Sequence, residues 1–502
     1  MSRLIQLEPF DEQNQKLESH VRPPNWRNPK PDGRYNLVVI GAGTAGLVTA
    51  AVAAGLGAKV ALVERQLMGG DCLNVGCVPS KALIRAARSV AQFRRASDFG
   101  VQVPDGVSVD FESVMQRMRT LRAEISQHDS VSRFSNLGVE VFLGNGRFVD
   151  SETIDVDGTC LKFSRAVIAT GARASAPAIP GLDQVSYLTN ESIFSLTSLP
   201  ERLGVVGAGP IGCELAQVFA LLGSQVCLLE SAQGILSRED RDAASIVEQR
   251  MKSDGVSMLC CARNLQVTSA EGGIRLDVEA DGEFHSQQVD QLLVAAGRAP
   301  NVEGLDLEKV GVHFDLRQGV HVDDRLRTTN KRIFAAGDIC SAFKFTHAAD
   351  FMARTVIRNA LLPGGAKMSS LVIPWCTYTS PELAHVGLLP ADQTDVDTYL
   401  QPMAQVDRAV LDGEQDGFVK IHTAKGTDRI VAATIVAQNA GDLMGEVSLA
   451  MTQGIPLRKL ASVIHPYPTQ AEAIRKVGDL YNRSRLTPFV QNMLRRWFKW
   501  NR

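Results

Sequence analysis

One pattern occurs twice in the chain, and it narrows the possible folds more than any other feature. The stretches "YNLVVIGAGTAGLVTAAVAAGLGAKVALVE" and "LGVVGAGPIGCELAQVFALLGSQVCLLE" each run from an apolar strand through a glycine turn into an apolar helix, then into a second apolar strand. The first copy carries Gly41, Gly43 and Gly46 and ends in Glu64; the second carries Gly207, Gly209 and Gly212 and ends in Glu230. In both, the closing glutamate lies 23 positions after the first glycine. Two copies of one supersecondary unit imply two nucleotide-binding domains in series.

A lone GxGxxG is weak evidence, but here each copy follows a strand, opens a helix and closes on an acid. The first glycine makes the tight turn, the second lets backbone approach a pyrophosphate, and the third lets helix pack on strand. The helix N-terminus then faces the phosphates, and Glu64 and Glu230 can accept from ribose hydroxyls. The bland alternative is a pair of glycine-rich turns that hold no ligand. Three later segments break at similar points: "AVIATGA" with Thr170 and Gly171, "QLLVAAGRAPN" with Gly297, and "IFAAGDIC" with Asp338. Asp338 is in a position to reach a sugar or phosphate edge.

Between the two copies lies "GGDCLNVGCVPSKAL", which holds Cys72 and Cys77 four residues apart behind Gly70 and ahead of Lys81. Two small buried hydrophobes would be the simplest account of such a pair. The nine cysteines are an odd, scattered set, unlike a secreted disulfide framework, and no secretory signal opens the chain. The expected compartment is therefore the cytoplasm, where a close pair more often does chemistry or binds metal. A net charge of −2 gives no whole-protein reason to expect nucleic acid.

At 502 residues, several domains are expected. Residues 1–34 read as a poorly ordered or surface-wrapping extension. A first nucleotide-binding domain is assigned to 35–184 and 312–370, and a second to 185–311. After about residue 370 the texture changes to short antiparallel strands followed by helices, giving a third, α+β unit over 371–482. The segment 483–502 is a basic tail with Trp497 and Trp500. It is expected to be a solvated helix packed on its own domain, with membrane contact unlikely on that reading.

Together these motifs resemble those of the pyridine nucleotide-disulfide oxidoreductases. The resemblance rests on GGxCxNxGCxPSK, both glycine fingerprints, the ATG turn, AAGRxPN, the GD pair and the "TSPELAHVG" start of the third unit. It implies an α/β fold of two Rossmann-like domains, one for FAD and one for NAD(P), with a C-terminal α+β dimerisation domain. It further implies a homodimer in which each C-terminal segment completes the partner's active site. In such enzymes the dithiol stores the two electrons of one hydride. Cys77 would stack on the flavin as a thiolate, favoured by a helix N-terminus, and Cys72 would meet the substrate. Lys81 would lie near the flavin and pair with Glu214; a purely structural ion pair is the alternative. Glu230 stands where NADPH-using members usually carry Arg, which favours NADH, although Arg238 nearby could also admit NADPH.

The acceptor is read from "HPYPTQAE". Members that reduce glutathione or lipoamide carry His-Pro-Thr followed by Glu, so that His shuttles a thiol proton. Here Tyr467 takes the base position ahead of Glu472, and His465 lies two residues early. A phenol with a pKa of about 10 is a poor shuttle at neutral pH. Tyr at this place resembles mercuric reductase, whose oxidant needs thiolates rather than a general acid. On that reading Cys72 and Cys77 hold Hg(II) transiently. Three departures stand against it: no vicinal cysteine pair near the C-terminus, no N-terminal CxxC domain, and no tyrosine between Tyr35 and Tyr187. Tyr467 merely packing, or His465 acting as substitute base, remain open. The adjacent Cys260 and Cys261 read as core packing within a strand, and Cys340 and Cys376 as core fillers.

The expectation is thus a mercuric reductase-like FAD enzyme. A dihydrolipoyl dehydrogenase-type disulfide reductase is the alternative. An NADH-binding redox-relay flavoprotein with little turnover is the rival from another class.

Overall fold

The computed structural model describes residue 5 and residues 7–502; the first residues of the N-terminal extension, 1–4 and 6, lie outside it. Contacts divide the chain into two compact units, one built mainly from residues 1–207 and 262–371, the other mainly from 230–261 and 372–502.

In the first unit the apolar runs of the first repeat become adjacent parallel strands. Arg34–Ile40 pairs with Val60–Glu64 on one side and with Thr159–Ile168 on the other, with Val38 opposite both Ala61 and Ala166. Both faces of this sheet are covered, which is why the strands read as unbroken apolar runs rather than alternating ones. Leu37 and Val39 enter one core, Val38 and Ile40 the other. The late strand Ile333–Ala335 also pairs in parallel with Thr159–Ile168. It thereby returns Asp338 and the helix Thr346–Leu361 to the first repeat. Ala349, Met352 and Val356 of that helix share a core with Ala45, Leu47 and Ala50 of helix Thr44–Gly55. The second repeat makes a parallel set of its own: Arg202–Val206 lies between Gln225–Leu229 and Gln291–Val294.

The N-terminal extension is more ordered than its polar composition suggests. Residues Glu12–Val21 form a helix capped by the Asp11 carboxylate, and Leu17 and Val21 are fully buried. Asp11 also pairs with the guanidinium of Arg119, and Asn14 accepts from Arg122. Two apolar anchors and a few charge-assisted hydrogen bonds suffice to hold a ten-residue helix.

The second unit carries the expected antiparallel sheet, in the order Pro374–Thr377, Glu382–Gly387, Ile430–Ala437, Phe418–Ala424, Val396–Pro402. Helices Ala440–Thr452 and Glu472–Ser484 contribute Met444, Val447, Ile474 and Val477 to its core. Beyond them the helix Pro488–Trp500 buries no residue at all. The expectation that it packs on its own domain does not hold. Cys260 and Cys261 do not lie inside a strand either. The strand Val256–Leu259 ends before them, and Cys261 has a positive φ of 54°.

Candidate active site

A short helix and the start of a long one bring the thiols together. Cys72 sits in helix Gly70–Asn74 and Cys77 is the first residue of helix Cys77–Arg94. The turn between them is too tight for a side chain at Gly76, where a Cβ would meet the Asp71 carbonyl oxygen at 2.8 Å. The buried Asn74 side chain donates to the carbonyls of Met68 and Gly70 and so closes the first helix. Arg122 and the Asn190 amide hold the carbonyls of Asn74 and Val75. Pro79 falls in the first turn of the second helix, where its missing N–H costs nothing.

The Cys72 thiol hydrogen-bonds to Cys77, and that bond, with burial, pushes its pKa up; Thr346 acts in the opposite direction. The Thr346 hydroxyl also lies 3.6 Å from the Cys77 sulfur. Cys77 is exposed and Cys72 half-buried. Thr346 escaped the sequence reading because "FKFTHAAD" carries no signature, and only the returning strand brings it here.

Beside the dithiol the guanidinium of Arg298 pairs with Asp71 and lies 3.5 Å from Asp338. Burial raises the Asp338 pKa against the pull of Arg298. Lys344 donates to the Asp338 carbonyl oxygen. Arg298 and Asp71 were both inside quoted motifs, but their pairing spans 227 positions and leaves no local trace. The Thr170 hydroxyl donates to the Asn301 carbonyl oxygen, and the Asn301 amide donates back to that of Thr170, stitching the ATG turn to AAGRAPN.

The residues around the first glycine turn fit a dinucleotide. Gly41 has φ 101°, and a Cβ there would stand 2.4 Å from the Ala169 oxygen; at Gly46 it would stand 1.8 Å from the Gly41 oxygen. Gly43 and Gly70 approach so closely that a Cβ on Gly70 would lie 2.7 Å from the Gly43 Cα. The start of helix Thr44–Gly55 therefore presents bare backbone, with no side-chain cap on its N–H groups. Glu64 is oriented by the N–H groups of Ala42 and Gln66, one on each carboxylate oxygen, which leaves each oxygen a lone pair for a ribose hydroxyl. Burial raises its pKa. Arg298 Nε is buried and lacks a hydrogen-bond partner among the described residues. In the second repeat Gly207 has φ 101°, Gly209 opens onto free space, and Gly212 lies buried in helix Pro210–Leu222. Glu230 accepts from the N–H groups of Ala208 and Ala232. Gly171 turns at φ 66°, and a Cβ on Gly297 would crowd the Ser175 oxygen at 3.0 Å.

Residues 35–353 match the family model described as pyridine nucleotide-disulphide oxidoreductase, and residues 373–477 match that family's dimerisation domain. The chain belongs to the pyridine nucleotide-disulphide oxidoreductases. As a member of this family the oxidoreductase binds FAD and uses NAD(P)H, and its dimerisation domain supports a homodimer. A mercuric reductase from Bacillus cereus is 33% identical over 94% of the chain and 75% of its own length. A dihydrolipoyl dehydrogenase from Geobacillus stearothermophilus is 32% identical over 88% and 95%. Among solved structures, the HOCl-induced flavoprotein disulfide reductase RclA from Escherichia coli matches with a TM-score of 0.78 at 27% identity. That match covers 89% of the chain and 100% of the RclA chain.

Elsewhere in the oxidoreductase, the C-terminal segment departs from the expected arrangement. Glu472 partners neither Tyr467 nor His465: its carboxylate pairs with Arg475 at 2.7 Å, one helical turn on. Tyr467 is 71% exposed and donates its hydroxyl to Asp407. His465 instead meets Glu446, Nε2 to Oε2, at 2.9 Å. Lys81 sits on the Cys77–Arg94 helix; Glu214, in the other unit, is buried and accepts from the Tyr378 N–H. Cys340 packs against the cores of the first unit, where burial pushes its thiol up to about 12, and Cys376 packs against that of the second. Among the described residues no group of three or more His, Cys, Asp or Glu is arranged to hold a metal, and no helix is long and apolar enough to cross a membrane.

Proposed function

We propose that the protein is a homodimeric, cytoplasmic NAD(P)H oxidoreductase that delivers two electrons, through the Cys72–Cys77 pair, to a soft metal ion such as Hg(II) or to a disulfide-like compound. The observation that carries this reading is the contact of the two thiols at the start of helix Cys77–Arg94, with an exposed Tyr467 at the usual base position. Bound FAD supplies the two-electron link between NAD(P)H and the dithiol. Gly41, Gly43, Gly46, Gly70 and Glu64 hold it on the first repeat, with Thr170, Gly171, Gly297 and Asp338 at its edge. Gly207, Gly209, Gly212 and Glu230 hold the nicotinamide nucleotide, and a carboxylate at Glu230 favours NADH over a 2′-phosphate. Lys81 and Glu214 act near the flavin.

Toward Hg(II), Cys72 and Cys77 act as soft thiolate ligands, and the ion takes up two electrons to become Hg(0). Toward a disulfide, the Cys72 thiolate attacks one sulfur and displaces the other as a thiolate. Cys77 then attacks Cys72, which releases the second thiol and closes the Cys72–Cys77 disulfide. The likeness to mercuric reductases supports the first, and a related Escherichia coli flavoprotein, RclA, is described as a Cu(II) complex.

A second reading, a dihydrolipoyl dehydrogenase-type reductase, is favoured by one observation. His465 has its own carboxylate partner in Glu446. The deciding experiment is NADH oxidation by the flavin-loaded protein with Hg(II) in excess thiol. Rapid turnover that is lost in Cys72→Ser supports the metal reading. A flat trace despite flavin reduction sinks it and moves the search to dithiols and organic disulfides.

A further inference from the structure

The helix Pro488–Trp500 is the most conspicuous unpartnered surface among the described residues. None of its residues is buried; Phe489, Trp497, Phe498 and Trp500 are 77%, 54%, 58% and 79% exposed. Advancing about 100° per residue, Phe489, Trp500, Met493, Trp497, Val490, Leu494 and Phe498 follow one another around about half of the helix. Gln491, Arg495, Lys499, Asn492 and Arg496 fill the other half. From Asn482 to Arg502 the chain has six cations and no acid, although its net charge is −2.

We infer that this helix is an in-plane anchor that lays its aromatic face into the surface of an anionic phospholipid bilayer. At about 1.5 Å rise per residue it is some 20 Å long, short of the roughly 30 Å hydrocarbon core, so it lies along the surface rather than crossing. Trp497 and Trp500, with ring centroids 5.7 Å apart, are amphipathic side chains suited to the headgroup boundary. Arg495, Arg496 and Lys499 then face the phosphates. Charge argues against a second copy of the same helix as occupant. Helix pairs are normally flanked by charges of both signs, whereas here two faces brought together would meet with only positive rims.

The test is flotation of the full-length, flavin-loaded protein with vesicles of phosphatidylcholine alone and of phosphatidylcholine mixed with phosphatidylglycerol. Binding confined to the anionic vesicles and weakened by high salt is expected. It should fall about tenfold or more both in F489E/W497E and in R495E/R496E/K499E. NADH-dependent flavin reduction should persist in both variants, so the outcome is independent of which acceptor the enzyme uses. Absence of binding to either vesicle, or binding unaffected by the tail variants, overturns the inference. So does sedimentation showing that the variants lose the dimer, since the helix would then be a subunit interface.

Discussion

His465 and Glu446 face each other at 2.9 Å, with the imidazole side chain only 7% exposed. The carboxylate comes from helix Ala440–Thr452, 19 positions earlier, while Glu472 is engaged by Arg475. A carboxylate on one ring nitrogen fixes the ring and orients the other nitrogen. If dihydrolipoamide is turned over, His465→Ala should lower that rate by about 10²–10⁴-fold, and Glu446→Gln by a smaller factor. Hg(II) reduction should stay within about twofold of the parent, because soft-metal capture needs no general acid. Parallel assays of the two acceptors decide this.

Tyr467 donates to Asp407, and that hydrogen bond raises the phenol's pKa, so it stays protonated at neutral pH. Tyr467→Phe should leave the melting temperature essentially unchanged, as expected for an exposed side chain. A fall of about tenfold or more in Hg(II) turnover, with flavin reduction by NADH intact, would place the hydroxyl in the acceptor step.

The Cys72 thiol is raised chiefly by its hydrogen bond to Cys77 and lowered by Thr346. Cys77→Ala should therefore move its titration to lower pH and Thr346→Val to higher pH. Thiolate absorbance, or the pH profile of alkylation of the reduced protein, reads both shifts. Since only the thiolate attacks, Cys72-dependent disulfide exchange should rise with pH in the parent protein.

Leu17 is fully buried in a helix that the sequence presents as an extension. Leu17→Ala should cost about 2–5 kcal/mol and lower the melting temperature. Glu12→Ala, on the exposed side, should change it by less than about 0.5 kcal/mol.

A methyl group on Gly46 would collide with the Gly41 oxygen at 1.8 Å. Gly46→Ala should therefore yield protein depleted of flavin, measured as the ratio of visible to ultraviolet absorbance. Full flavin content in that variant would mean the turn does not cradle the cofactor.

The two nucleotide-binding repeats, the dithiol turn and the switch to an antiparallel third unit were legible in the sequence. Each is a local pattern: glycines at fixed offsets, an acid at matched distance, and a change from strand–turn–helix units to short strands in close succession. The partners of those motifs were not. Thr346 beside Cys77, Arg298 against Asp71, and Asn301 against Thr170 are separated by 269, 227 and 131 positions, and no spacing rule reaches that far. The same holds for Glu446 as the partner of His465, and for Leu17 giving order to a polar extension. Hydropathy order along the chain determined the strands and turns. Only the packing of distant elements decided which charged and nucleophilic side chains meet, because electrostatic and thiol chemistry depends on distances of a few ångströms that the folded chain alone creates.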